Sequence, residues 1–273
     1  LMDEVAGALA ALEGDMGKRL GDATDPLLVS VRSGAAFSMP GMMDTVLNLG
    51  LNDASVQGLA KQTGNERVAY DSYRRFVQMF GKIVLDVPAD AFEEALHDLM
   101  EAKGVAVDTA LTSEDLQGLV TTFKGIVQRE AGIDFPDTPQ EQLAHAIEAV
   151  FRSWNGRRAK DYRKMEGIAD DLGTAVNVQT MVFGNKGEDS GTSVAFTRNP
   201  STGENVGYGD FLKNAQGEDV VAGIRITEPL DAMRNEFPEC HGQLLGVMDL
   251  LEQHYRDMCD IEFTIEQGRL FIL

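Results

Sequence analysis

Three stretches of this sequence combine residue types and spacings suited to phosphate and divalent-cation chemistry. The first is Arg32–Thr45. Gly34 and Gly41 let backbone N–H groups come close to a ligand, because no Cβ intervenes. Ser33, Ser38 and Thr45 add hydroxyl donors, and Arg32 offers a planar fork for phosphate oxygens. The same residues also suit a buried methionine-rich turn with Arg32 in a structural ion pair. The second stretch is Phe183–Ser193, with Gly184, Gly187 and Gly191. It reads as a flexible β-hairpin able to fold over a triphosphate and donate backbone N–H groups, with Lys186 neutralising phosphate charge. It is not a Walker loop, because no Gly-Lys-Ser/Thr precedes a helix; a mobile solvent loop is the plain alternative. The third is Asp260-Ile261-Glu262. Strand alternation puts both carboxylates on one face, with Ile261 and Phe263 on the other. Such a pair suits Mg²⁺, which takes a few carboxylates plus substrate phosphates; a charged, solvent-facing edge is the alternative.

Other residue types carry less. His97, His145 and His254 fall in helical patterns and His241 follows Cys240, so no Ser/His/Asp or Cys/His arrangement emerges. Cys240 and Cys259 are not in a CxxC pair and read as reduced thiols of a cytoplasmic protein. The formal net charge of -20 over 273 residues argues against nucleic acid as a partner. A nucleotide site in so acidic a chain needs local Lys or Arg, backbone N–H groups or a metal. Without a run of about 18 apolar residues, no membrane span is expected. Leu1–Ala6 lacks the pattern of a signal peptide and reads as the middle of a helix, so a fragment is expected.

The elements that must position these residues follow from periodicity. Val5, Leu9, Leu12 and Met16 mark a helix over 1–20. Leu27–Val31 reads as a short buried strand, followed by a tight loop from Arg32 to Gly50. Helices are expected at Ala54–Gln62, Arg67–Ile83, Ala89–Lys103 and Glu114–Glu130. Pro88 suits a first helical position, Ser113 with Gln117 a loose cap, and Thr138-Pro-Gln-Glu141 a capping box. Further helices run towards Trp154 and over Ala159–Glu166. After Gly173 the pattern turns to strands: Ala175–Val182, Thr192–Thr197, Val220–Ile224, Asp260–Glu266 and Arg269–Leu273, with Gln267-Gly268 as a tight turn. Met233–Met258 includes a helix. The fold class is α+β.

Ser30-Val-Arg-Ser-Gly-Ala-Ala-Phe-Ser-Met-Pro-Gly-Met-Met-Asp-Thr-Val-Leu-Asn-Leu-Gly50 resembles the nucleotide-binding domain of the pyruvate phosphate dikinase family. So do Ser153–Ala159, Val194–Glu204 and Asn214–Arg225, and the similarity runs over nearly the whole chain. The resemblance implies an ATP-grasp-type nucleotide-binding domain with an inserted helical subdomain: residues 1–51 with 138–182, an insert at 52–137, and a second lobe with the nucleotide lid at 183–273. It implies that Arg32 contacts phosphates as a catalytic group, with Gly41 in the adjoining loop. Gln179, Thr180, Met181 and Val182 would be the hinge that binds adenine through backbone groups. Thr192 and Ser193 would belong to the lid, and Asp260 and Glu262 would hold Mg²⁺ with ATP. The β-phosphoryl of ATP would pass to a histidine on a swivelling partner domain, inorganic phosphate would take the γ-phosphoryl, and the phosphohistidine would convert pyruvate to phosphoenolpyruvate. Full-length family members are homodimeric through another domain; the fragment is expected to be monomeric and inactive alone.

Two departures stand out. The family usually has Gly-Thr-Gly in the lid where this chain has Gly191-Thr192-Ser193, and Thr-Pro where it has Ile226-Thr227. A Gly-Gly-Lys segment is expected before Leu1 and a Gln-Thr-Arg segment after Leu273. Ser193 and these ends keep open a degenerate, non-catalytic interaction domain of the same fold; a relative such as phosphoenolpyruvate synthase is a separate alternative.

Overall fold

Three helices in the first two-thirds of the chain begin where Asn65, Thr112 or Thr138 accepts from their first N–H groups. In the computed structural model, which describes residues 1–221 and 226–273, one compact unit covers Leu1–Met181. It holds α1 (Met2–Met16), α2 (Ser55–Thr63), α3 (Glu66–Val84), α4 (Ala89–Lys103), α5 (Ser113–Ala131), α6 (Pro139–Ser153) and α7 (Arg157–Glu166). Asn65 accepts from the Val68 N–H ahead of α3. Thr112 and Asp115 form a full capping box at α5. The signal lay one residue before Ser113, in Thr112-x-x-Asp115. Thr138 accepts from the Glu141 N–H, but its hydroxyl gives its proton to the Glu141 carboxylate at 2.8 Å, so only half of the expected box forms. Pro88 stands at the N-cap position of α4, just outside its first turn, and makes no side-chain cap.

The amphipathic α3 buries Tyr73, Phe76, Val77 and Phe80, and packs against α5 with Leu116, Val120, Phe123 and Val127. Phe92 of α4 meets Phe123 edge-on at 5.0 Å. A charged network crosses this helical layer. Arg74 is buried and pairs with Asp71 and, at 2.8 Å, with Asp108; Arg67 donates to the carbonyls of Asp108 and Leu111.

The same unit contains a two-stranded parallel pair, β1 (Arg19–Leu20) with β2 (Pro26–Leu27), and an antiparallel sheet of β3 (Val29–Gly34), β4 (Thr45–Leu49) and β5 (Ala175–Thr180) in the order β4-β3-β5. The sequence reading ended the strand at Val31 and gave Arg32–Gly50 to a loop. Instead β3 continues through Arg32, and Thr45–Leu49 returns beside it. Ladder bonds to β4 and β5 hold β3 extended despite its small residues, whose own strand preference is weak. The face carrying Val29, Val31, Val46 and Leu49 is fully buried, and α3 and α6 pack on this sheet.

The second unit, Val182–Leu273, has an antiparallel sheet of β6 (Gly191–Phe196), β7 (Tyr208–Lys213), β8 (Glu228–Pro229), β9 (Asp260–Glu266) and β10 (Arg269–Ile272), in the order β10-β9-β6-β7-β8. Its helices are α8 (Gly217–Val221), α9 (Met233–Glu236) and α10 (Pro238–Tyr255). One sheet face contributes Ala195, Phe211, Ile261, Phe263 and Ile265 to a core with Cys240, Leu244 and Met248 of α10. Sequence reading missed β7. It also gave Val220–Ile224 to a strand, whereas α8 runs to Val221 and residues 222–224 lie outside the described residues. Gln267 and Gly268 both have positive φ, 49° and 75°, as a tight hairpin turn requires. Among the described residues no helix is long and apolar enough to cross a membrane. Mixed helix and sheet bear out the α+β class.

Burial raises the Asp71 carboxyl, but Arg74 and Arg75 outweigh it and hold the group below the usual carboxylate range. A depressed folded-state pKa contributes stability above the unfolded value, and that contribution is lost as pH falls through the folded one. Asp71→Asn is expected to lower unfolding free energy by about 3 kcal/mol at pH 7, because it leaves a buried guanidinium short of a counter-charge. Urea unfolding across pH should show the gap between variant and parent narrowing below about pH 4.

Candidate functional site

Alternation along β3 sends Arg32 to the polar face of its sheet, away from Val29 and Val31. The register places Arg32 opposite Asn177 and Thr45, and Ser30 opposite Gln179. Arg32 and Gln179 therefore share one face of one sheet, on adjacent strands. Arg32 is half-buried and belongs to a strand, not to the loop assigned to it from sequence. Beyond Gly34 the chain turns through Gly41, whose φ of +70° favours glycine, while the space beside its Cα is open. Met39 anchors this loop in a small core with Trp154 and Ala159. Trp154 is itself held from below. Arg163 stacks on its ring at 4.1 Å, donates to its carbonyl at 2.5 Å and forks onto Asp170. Asp44 ends the loop; burial raises its carboxyl, and Arg158 at 3.3 Å pulls the other way. The segment Ser153–Ala159 thus acts as a platform under the arginine loop.

At the other end of β5, Met181 N–H donates to the Leu28 carbonyl at 2.8 Å. That amide is committed to the sheet. The peptide is trans, so the Thr180 carbonyl points the opposite way, off the edge where β5 has no further strand. Among the four expected hinge residues, Thr180 therefore presents its backbone outward while Met181 does not. Val182 opens the second unit.

In the second unit, Asp260 and Glu262 are exposed on one face of β9, and Ile261 and Phe263 are buried on the other, as the alternation predicts. Thr264 continues the polar face and meets Thr192 of β6, with hydroxyl oxygens 3.4 Å apart. Glu266 ends it. Thr192, Asp260, Glu262, Thr264 and Glu266 thus share a face, of which the sequence reading named only the first three. The signal was present: the period of two in Asp260-Ile-Glu-Phe-Thr-Ile-Glu266 simply continues.

Phe183–Ser190 is not the tip of a β-hairpin, because β5 and β6 pair in different sheets. The segment is instead tied to its own unit: Ala215 N–H donates to the Gly184 carbonyl, Asn214 N–H to the Ser190 carbonyl, and Gly268 N–H to the Asp189 carbonyl. Gly184 is needed for this approach, since a Cβ there would lie 2.4 Å from the Ala215 carbonyl oxygen. Lys186, expected to neutralise phosphate charge, has its Nζ 2.5 Å from Glu266 Oε1. Thr192 and Ser193, expected in a glycine-rich loop, sit in the central strand β6, both buried. Ser193 also points away from Thr192 and Glu262. Its register neighbours are Phe211 and Phe263 of the apolar core, and its hydroxyl donates to the Asp210 carbonyl at 2.6 Å. The serine in place of glycine therefore lies on the helix-covered face, and its weight in favour of a degenerate site falls away.

Mg²⁺ prefers hard oxygen donors and commonly keeps several waters and substrate oxygens. Two exposed carboxylates two residues apart, with no third acidic, histidine or cysteine side chain clustered beside them among the described residues, fit such a partial donor set.

Comparison with known proteins points to one family. The family model described as "Pyruvate phosphate dikinase, AMP/ATP-binding domain" matches residues 1–236. A pyruvate, phosphate dikinase of Clostridium symbiosum is 56% identical over the whole chain. The chloroplastic enzyme of Mesembryanthemum crystallinum is 56% identical, and pyruvate, phosphate dikinase 2 of Oryza sativa subsp. japonica is 55% identical, again over the whole chain. The chain spans only 31%, 29% and 31% of the lengths of these three relatives.

Ser193→Gly is expected to leave nucleotide affinity unchanged within about twofold. It should destabilise the second unit by about 1 kcal/mol, through lost strand preference and the lost bond to Asp210. Calorimetric titration and urea unfolding of the same preparation check both statements.

Proposed function

The chain belongs to the pyruvate phosphate dikinase AMP/ATP-binding domain family, and from that premise we propose that it is the ATP-binding part of a pyruvate phosphate dikinase. In this reading the fold is an ATP-grasp, with residues 1–51 and 138–182 as one lobe, 52–137 as a helical insert, and 183–273 as the second lobe. The setting is the cytoplasm. The full reaction converts ATP, phosphate and pyruvate to AMP, diphosphate and phosphoenolpyruvate. The observation that carries the reading is the exposed Asp260/Glu262 pair on the polar face of β9, in a chain whose first 236 residues match this family.

Phosphoryl transfer asks a protein chiefly for positioning and charge neutralisation. Arg32 supplies the fork for phosphate oxygens, from a strand whose backbone is bonded on both sides, so its base moves little. The Gly41 loop, seated on Trp154, offers backbone N–H groups beside it. Thr180 and Val182 supply backbone groups for adenine, and Gln179 projects from the same sheet face as Arg32. Thr192 gives a hydroxyl beside the carboxylates. Asp260 and Glu262 would hold Mg²⁺, which when bound offsets the charge of the polyphosphate and so lets it approach a chain of net charge -20. The β-phosphoryl is taken by a histidine of a swivelling domain outside this chain. The γ-phosphoryl goes to inorganic phosphate.

In the full-length protein, ATP binding should require Mg²⁺ in calorimetric titration. Arg32→Ala and Glu262→Ala should each slow transfer of label from β-labelled ATP to the histidine domain by at least about 100-fold. Transfer at the parent rate in either variant would remove that residue from the site.

A further inference from the structure

Glu266 uses both carboxylate oxygens inside its own unit. Oε2 accepts from the Phe183 N–H at 2.6 Å and Oε1 lies 2.5 Å from Lys186 Nζ. Both side chains are largely buried, 19% and 12% exposed, and the ammonium also sits 5.1 Å from the centre of the Phe183 ring. A carboxylate so enclosed makes strong charge-assisted bonds and has little freedom to turn. What it grips is a peptide group: the unit joining Val182 to Phe183. That peptide is planar and trans, so its C=O and N–H point in opposite directions. With the Phe183 N–H fixed on Glu266, the Val182 carbonyl is fixed pointing away from it.

From this geometry we infer that Glu266 is a specificity-determining positioning residue, which aims the Val182 carbonyl as an acceptor for the 6-amino group of the purine. The inference rests on the reading of Gln179–Val182 as the adenine hinge. A carbonyl held in one direction attracts an amino donor at purine position 6 and repels the oxygen that guanine carries there. Discrimination of this kind is strong because a rigid acceptor left without a donor cannot turn to find another. Lys186 has an indirect part: it neutralises Glu266 and holds Oε1, so that Oε2 stays on the Phe183 N–H. Neither side chain touches the nucleotide.

The test compares the affinity of the full-length protein for ATP and for purine riboside triphosphate, which lacks the 6-amino group, by competition binding with Mg²⁺ present. The parent is expected to favour ATP by about 10-fold. Glu266→Ala, checked for folding by thermal melt, should bind ATP about 10-fold less tightly and bring the preference below about threefold. A merely structural loss would weaken both ligands alike and leave the ratio unchanged. A preserved ratio in folded Glu266→Ala overturns the role of Glu266 and keeps the hinge. A parent that binds both ligands equally overturns the hinge reading and this inference with it. Should Glu266→Ala not fold, Lys186→Met serves instead. It leaves Glu266 without its counter-charge, so the ratio should again fall, and an unchanged ratio there overturns the inference.

Discussion

The hydrogen-bond ladder between β6 and β9 decides which side chains of the second unit meet α10 and which remain on the polar face. Its register pairs Thr192 with Thr264, Val194 with Glu262 and Ser193 with Phe263. Because side chains alternate strictly along a strand, a slip by one residue would drive Asp260, Glu262 and Glu266 towards Leu244 and Met248 and expose Phe263 and Ile265. The cost of burying three carboxylates in an apolar core makes the slipped register inaccessible. The acidic face is therefore the necessary reverse of the core that holds the sheet together.

The first unit follows the same logic with different residues. Val29, Val31, Val46 and Leu49 fill the buried face, which leaves Ser30, Arg32, Asn177 and Gln179 on the other. In both units the candidate binding side chains stand on strands, where ladder bonds limit their motion, and loops add only backbone groups. The arginine loop is itself restrained by Met39 against Trp154, and Trp154 by the buried Arg163. Rigid support of this kind suits chemistry that depends on placement more than on reactive side chains.

Within this frame, a departure from the family pattern that looked consequential becomes a packing detail. A serine in place of a glycine suggested an altered lid. In a central strand with its hydroxyl bonded to the Asp210 carbonyl, it is accommodated on the face that packs against helix α10. The glycine-rich segment before it likewise changes character. Its carbonyls and Lys186 are bonded to β9, to the β9–β10 turn and to the residues after β7, so composition alone overstated its freedom.

The sequence by itself determined the helices at 55–63, 66–84, 89–103 and 113–131 nearly to the residue, because caps and apolar periodicity are local signals. It determined equally that Asp260 and Glu262 share a face, since a period of two needs no knowledge of the partner strand. Resemblance, not periodicity, gave Arg32 its role. Tertiary structure alone decided the rest. Thr45–Leu49 and Tyr208–Lys213 are strands because neighbouring strands offer them ladder bonds, and the intervening glycines and polar residues hid that from a local reading. The direction of Ser193, the capture of Lys186 by Glu266 and the grip of Glu266 on Phe183 join residues up to 83 positions apart. No local pattern encodes which carboxylate will reach which amide, because that depends on the register and twist of strands that meet only in the folded chain.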